Sequence, residues 1–238
     1  MLKKIKTGID GLDEMLHGGL IEGRPYVVCG EPGAGKTILC MQFLMKGVEE
    51  HERGLYVALE ETAEQIKEDM SVFGWDTSKI KILETTRELG SDKWLIKVDN
   101  VISKPEFTLM NLMKVIKEKI DTYNPRRIVI DSITSIKMLS ESEGELRREL
   151  LSLMEFLYKF GVTTLLTSES VNGEIHMEEF LASGVIKLHL LESKGEMINA
   201  ISIEKIRGSD FDRHLRPMKI TEKGIVVFPS ESVFEEFG

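Results

Sequence analysis

At 238 residues and 42% hydrophobic, the chain is long enough to bury one large α/β core. Asp and Glu outnumber Lys and Arg 40 to 31, for a formal net charge of −9 and a pI near 5.2. That balance argues against a protein held to nucleic acid mainly by phosphate contacts, because such binding needs a basic face.

Met1–Thr7 lacks the apolar stretch of a secretory signal, and no apolar run approaches the roughly 18 residues of a bilayer span, so a cytoplasmic protein without a membrane partner is expected. Pro25–Cys29 (PYVVC) is a β-branched run that stops at Gly30, as a buried strand feeding a turn would. Ile38, Leu39, Phe43, Leu44 and Val48 then share one helical face. Gly54–Leu59 reads as the next strand. Thr62 and Gln65 have capping-box spacing for a helix to about Phe73, which Gly74 ends. Cys29 and Cys40 lie in apolar surroundings and read as buried, reduced thiols.

No pattern emerges from Glu84 to Lys104, except that Trp94, Leu95 and Ile96 should pack locally. Helical periodicity returns over Leu109–Ile120, and Arg127–Asp131 (RIVID) reads as a strand. An amphipathic helix spans Glu145–Phe160, before the strand Val162–Thr167. Such alternation implies a mostly parallel sheet covered on both faces. From Gly184 onward the pattern is strands only: Gly184–Leu191, Met197–Lys205, Pro217–Ile220 and Ile225–Phe228, expected as antiparallel extensions at the C-terminal edge. No linker or repeat divides the chain, so residues 1–238 are expected to form a single domain.

Gly30-Glu31-Pro32-Gly33-Ala34-Gly35-Lys36-Thr37, leading into Ile38, fits G-x-x-x-x-G-K-[ST] between a strand and a helix. The glycines let backbone N–H groups curl around phosphates, and the following helix adds its positive N-terminus. Lys36 would reach the β- and γ-phosphates, and the Thr37 hydroxyl would ligate Mg²⁺. Asp131 ends an apolar strand at the edge where open α/β sheets place ligands, and would hold the same metal through water. The cofactors expected are ATP and Mg²⁺. Glu60 and Glu61 end the Leu55–Leu59 strand. On the residues alone they serve equally as a general base with its partner or as acids beginning a helix. His17, His51, His176, His189 and His214 form no ligand-like cluster.

These motifs, in this order, resemble the KaiC-like branch of the RecA superfamily of ATPases. Thr7-Gly8-Ile9, Leu12-Asp13, Leu16 and Gly18-Gly19-Leu20 resemble the family's opening T-G-I-x-x-L-D-x-x-L-x-G-G-[LI]. Val57-Ala58-Leu59-Glu60-Glu61 is similar to its strand with paired catalytic glutamates, and Phe73-Gly74-Trp75-Asp76 matches its F-G-W-D. Leu166-Thr167-Ser168-Glu169 sits where RecA-like proteins keep a γ-phosphate-sensing strand end. The resemblance implies a P-loop ATPase with a RecA-like core, Glu61 as general base and Glu60 in support. Glu204-Lys205-Ile206-Arg207-Gly208-Ser209 resembles its K-x-R-G-[ST] motif, whose cations reach a neighbouring subunit's nucleotide. Lys205, Ile206, Arg207 and Ser209 thus enter as nucleotide contacts in trans, although Lys205 and Arg207 also alternate like a solvated strand face. Ser183 stands where the family often carries an acid, so no role is borrowed there.

The resemblance favours a homo-oligomer, a ring of six, acting as a regulatory or scaffold ATPase with a protein partner. A second reading is a paralogue of the recombinase RadA that binds DNA. It is not favoured: Ser140–Gly144 is acidic, and Val171–Met177 has no Lys or Arg. A third reading is an auto- or protein kinase acting on Ser132, Thr134, Ser135 or Ser140. The two-domain clock function is not carried over to a chain with length for one such domain.

Overall fold

The computed structural model describes residues 2–87, 94–98, 101–137, 140, 142–170, 176–193 and 195–233. In chain order the elements are β1 (Lys4–Ile5), α1 (Asp10–Met15), β2 (Leu20–Ile21), β3 (Pro25–Gly30), α2 (Lys36–Glu49), β4 (Gly54–Ala58) and α3 (Ala63–Ser71). They continue with β5 (Ile80–Arg87), β6 (Trp94–Val98), β7 (Val101–Glu106), α4 (Leu109–Tyr123), β8 (Arg127–Asp131), α5 (Thr134–Lys137) and α6 (Glu143–Phe160). The last are β9 (Thr163–Glu169), α7 (Met177–Leu181), β10 (Gly184–Ser193), β11 (Glu196–Ile206), β12 (Arg216–Thr221) and β13 (Gly224–Val227).

Eleven strands form one sheet in the order β13-β12-β11-β10-β3-β9-β8-β4-β5-β6-β7. The six from β10 to β5 are mutually parallel, and β11, β12 and β13 extend one edge in antiparallel fashion. The other edge also carries an antiparallel pair, β6 and β7, built on β5. That pair occupies the stretch in which the sequence shows no pattern. Leu95 and Ile96 are buried, the latter in the core of the α4 face, and the side chain of Trp94 lies outside the described residues.

The central strands are buried at nearly every position because both faces are covered. In β4, Tyr56 and Ala58 face the layer of α1, α2 and α3, whereas Leu55 and Val57 face that of α4 and α6. In β8, Val129 takes the first side and Ile128 and Ile130 the second. Thr62 and Gln65 cap α3 reciprocally, as their spacing predicts, and Gly74 adopts φ +70° just beyond the helix. Phe73 stacks on Trp75 with ring centroids 4.7 Å apart. Both cysteines are free and buried, and burial pushes the Cys29 thiol up to about 12.

One buried cation ties the layers together. Arg127, wholly buried, bonds Glu52 at 2.6 Å and Glu50 at 2.8 Å. It also donates to the carbonyls of Lys6 at 2.6 Å and Phe43 at 3.0 Å, with its guanidinium 4.7 Å from the Phe43 ring centroid. A Cβ on Gly47 would come within 2.7 Å of Arg127 Cδ, so only glycine leaves α2 room for it.

Candidate functional site

The parallel strands β3, β4, β8 and β9 all end at one edge, and the turns after them converge there. Gly33 at φ +82° and Gly35 at φ +97° bend the segment between β3 and α2, a backbone region costly for any residue with a Cβ. Lys36 folds back across this loop, donating to the carbonyls of Gly30 at 3.0 Å and Glu31 at 2.9 Å. An ammonium so placed can exchange backbone carbonyls for an incoming anion. The helix behind it supplies N–H groups and a positive dipole end.

Asp131 is the hub on the other side. Its Oδ2 accepts from the Thr37 hydroxyl at 2.8 Å and from the Tyr56 hydroxyl at 2.5 Å, and its Oδ1 accepts from the Thr167 hydroxyl at 2.5 Å. Burial, followed by the Asp131 charge, pushes the Tyr56 hydroxyl well above its ordinary pKa, so it remains a donor. An oxygen-only set of one carboxylate and three hydroxyls suits a hard divalent cation such as Mg²⁺.

Glu60 and Glu61 follow β4 and differ in their partners. Glu60 Oε1 accepts from Ser132 at 2.5 Å and Ser135 at 2.9 Å, which pins it to the turn after β8. Glu61 has no hydrogen bond or ion pair among the described residues. Partial burial, then the charges of Asp131, Asp69 and Glu60, hold its carboxyl above the ordinary value. A raised, unpinned carboxylate beside a fixed one is the pairing expected of a proton acceptor with a positioning partner.

Pro32, Gly33, Lys36, Thr37, Tyr56, Glu60, Glu61, Asp131, Ser132 and Glu169 line one cavity of about 210 Å³. The fold thus brings together the phosphate-type loop, the strand-end Asp131, both glutamates and the end of β9. The sequence reading gives Tyr56 no role at the site and names Thr167 only within the strand end Leu166–Glu169, without its bond to Asp131. The signal that could have found them is register, since Ala58 pairs with Asp131, and Leu166 lies opposite Ile130.

Four further candidates lie elsewhere. Lys205 is opposite Val185, which pairs with Val27, and Ile206 is opposite Gly184, which pairs with Tyr26. They therefore flank the opposite end of the sheet, three or four residues (roughly 10–13 Å of strand) before Gly30. The Ile206 side chain is buried in the core, and Ser209 accepts from Lys4 at 2.8 Å. Lys205 and Arg207 both donate to the Phe180 carbonyl at the end of α7, at 3.2 Å and 2.8 Å, and Lys205 also bonds the Glu179 carbonyl. Burial, then Arg207, lowers the Lys205 pKa. His214 is exposed and bonded to Asp212 at 2.6 Å.

The α7 helix is itself tied to the edge where the parallel strands end. Glu178, wholly buried, accepts from Ser168 and pairs with Lys137, while its Oε2 has no partner among the described residues. Residues 171–175, most of the loop weighed for DNA contact, lie outside the described residues, as does Glu141 in the other one. No helix among the described residues is long and apolar enough to cross a membrane.

A family profile described as "ATPase: KaiC" matches residues 5–232. A UPF0273 protein of Thermotoga maritima is 34% identical over 247 residues, covering 97% of this chain and 98% of the relative. The circadian clock oscillator protein KaiC of Synechococcus elongatus is 32% identical over 241 residues, which is 96% of this chain but 44% of that protein. Among crystal structures, a KaiC-like protein of the hyperthermophilic archaeon Pyrococcus horikoshii matches with a TM-score of 0.82 at 35% identity, covering 96% of this chain and all of that one.

Proposed function

The chain belongs to the KaiC family of ATPases, and on that premise we propose that it is a Mg²⁺-dependent, oligomeric ATPase whose site is completed by a neighbour. One observation carries this reading. Among the described residues the cavity presents four carboxylates, Glu60, Glu61, Asp131 and Glu169, against a single cation, Lys36. A triphosphate cannot settle beside that charge unless further cations enter with it.

Thr37 and Asp131 are the groups that would hold a divalent metal, which would supply part of that charge. Lys36 and the backbone N–H groups of Gly33–Thr37 bind the β- and γ-phosphates. Glu61 accepts a proton from the attacking water as the water oxygen bonds to the γ-phosphorus and the bond to the ADP oxygen breaks. Glu60, held by Ser132 and Ser135, keeps the base in register. Lys205 and Arg207 cannot serve this chain's own loop from the far end of the sheet, so their cations fit a second copy's γ-phosphate.

The reading assigns a regulatory or scaffold role through nucleotide-dependent assembly. Its test is phosphate release measured together with nucleotide binding, on the wild type and Glu61→Gln. Wild type that binds ATP but releases no phosphate under any assembly condition would sink it.

A further inference from the structure

A second cavity, of about 460 Å³, opens on the β5 side of the molecule, away from the nucleotide loop. Its floor is Ile80–Ile82, the part of β5 that β6 does not cover, since β6 pairs with β5 from Leu83 onward. One wall is α3, through Ala63 and Lys67, and another is Tyr123 at the end of α4. Lys67, Lys79, Lys81 and Lys97 line it, and Glu84 is the one carboxylate among the described lining residues.

That carboxylate is already committed on both oxygens. Glu84 Oε1 pairs with Lys97 at 2.5 Å, and Oε2 accepts the N–H of Ala63 at the start of α3. Lys79 pairs with Asp76 at 3.7 Å in an exposed setting, so its charge is partly offset. Lys67 has no ion pair among the described residues. Lys81 lies 5.1 Å from the Tyr123 ring centroid, and Arg53 adds a further cation 5.4 Å from the same ring. Both cations occupy the aromatic surface, so the cavity offers charge and little to stack on. A concave surplus of positive charge is conspicuous on a chain of net charge −9.

We propose that this cavity is a second anion site, one that takes a polyphosphate group: the phosphate chain of a nucleotide or an inorganic polyphosphate. Its volume lies in the range of small-ligand pockets, and several ammonium groups converging from α3, β5 and β6 suit a chain of phosphates better than a single carboxylate. Its occupant would also be sensed at the catalytic edge. Ala63, on its wall, is two residues beyond Glu61, and its N–H is held by Glu84, which in turn pairs with Lys97 in the same cavity.

The test uses the full chain carrying Lys36→Ala, which disables the nucleotide loop and separates this proposal from the ATPase reading. Tripolyphosphate, a non-hydrolysable ATP analogue and adenosine are titrated separately by calorimetry, at low and moderate salt. Saturable one-to-one binding of tripolyphosphate is expected, weakened about tenfold or more by Lys67→Glu with Lys81→Glu. Comparable binding of the analogue would assign a nucleotide, and its failure an inorganic polyphosphate; adenosine should not bind. The control Lys114→Glu with Lys159→Glu makes the same change of net charge at exposed positions outside the cavity lining. Equal weakening by the control, or no saturable binding to the Lys36→Ala chain, would overturn the site. Such a result would leave the lysines as guards of an open strand edge. Binding of polyglutamate without tripolyphosphate would overturn it too, in favour of an acidic peptide.

Discussion

The Thr37 hydroxyl donates to Asp131 Oδ2 at 2.8 Å across 94 residues of sequence, joining the phosphate-type loop to the end of β8. Neither residue reaches the other without the parallel order β3-β9-β8, which sets both strand ends at one edge. Asp131→Asn keeps the shape but removes the charge that would share a metal with Thr37. We expect it to abolish the Mg²⁺ dependence of nucleotide binding and to cut turnover at least about 100-fold. Titration of a fluorescent ATP analogue with and without Mg²⁺ checks this, and an unchanged metal effect would refute the assignment.

Glu61→Gln should leave nucleotide affinity within a few-fold and lower kcat by about 10²–10⁴, the usual worth of a general base. Glu60→Gln should cost less, because it removes a positioning partner. Full activity in Glu61→Gln would remove the residue from the mechanism.

The same carboxyl makes two pH predictions. Its pKa is raised by partial burial and then by the neighbouring negative charges, so the acid limb of the rate profile should lie above the ordinary carboxylate range. Activity falls as pH drops through that limb, because the base becomes protonated. Stability runs the other way. An acid with a raised folded-state pKa favours folding as pH falls, and its charged form costs stability above that pKa. Glu61→Gln should therefore melt at a higher temperature than wild type at neutral pH while hydrolysing less. Loss of both stability and activity would point to a structural role.

Mixing experiments test the contribution in trans. Arg207→Ala should lower turnover far more than affinity, within the 10³–10⁵ range typical of such cations. Lys36→Ala chains are inactive alone but keep Arg207. Mixed with Arg207→Ala chains, they should restore measurable ATPase activity at shared interfaces. No recovery in mixed oligomers, despite co-assembly by light scattering, would exclude the neighbour's cation.

Arg127 should matter for stability and not for chemistry. Replacing it with Met removes a donor from the Phe43 and Lys6 carbonyls, takes the cation from Glu52 and leaves Glu50 only Lys46 at 3.8 Å, at a cost of about 1–3 kcal/mol. Gly47→Ala should destabilise in the same direction by forcing Arg127 aside. Urea unfolding reads both. A change below about 1 kcal/mol for Arg127→Met would show that the buried network contributes little net stability.

Much of the nucleotide-type site is legible because its parts are contiguous. Gly30–Thr37 carries its own turn glycines and helix start, and Glu60–Glu61 and Asp131 each follow a run of apolar residues that announces a buried strand. Thr62 and Gln65 declare their cap by spacing alone. The β6–β7 pair is not legible, because its polar and charged positions interrupt any alternation and its place depends on the free edge of β5. Glu178 falls in no element of the sequence reading, and only the fold buries it against Ser168 and Lys137.

What the sequence by itself determined is therefore the inventory: a phosphate-type loop, a strand-end acid, paired glutamates, a central parallel sheet and a separate K-x-R pair. These are short-range features, specified by backbone propensity and side-chain period. Tertiary structure alone decided which of them meet. Parallel register delivers Tyr56 and Thr167 to Asp131 and leaves Glu61 unpinned beside a fixed Glu60, while the antiparallel pairing of β11 with β10 carries Lys205 and Arg207 to the far end of the sheet. Hydrogen bonding between strands sets that register, and its long-range pairings are not written in any local window.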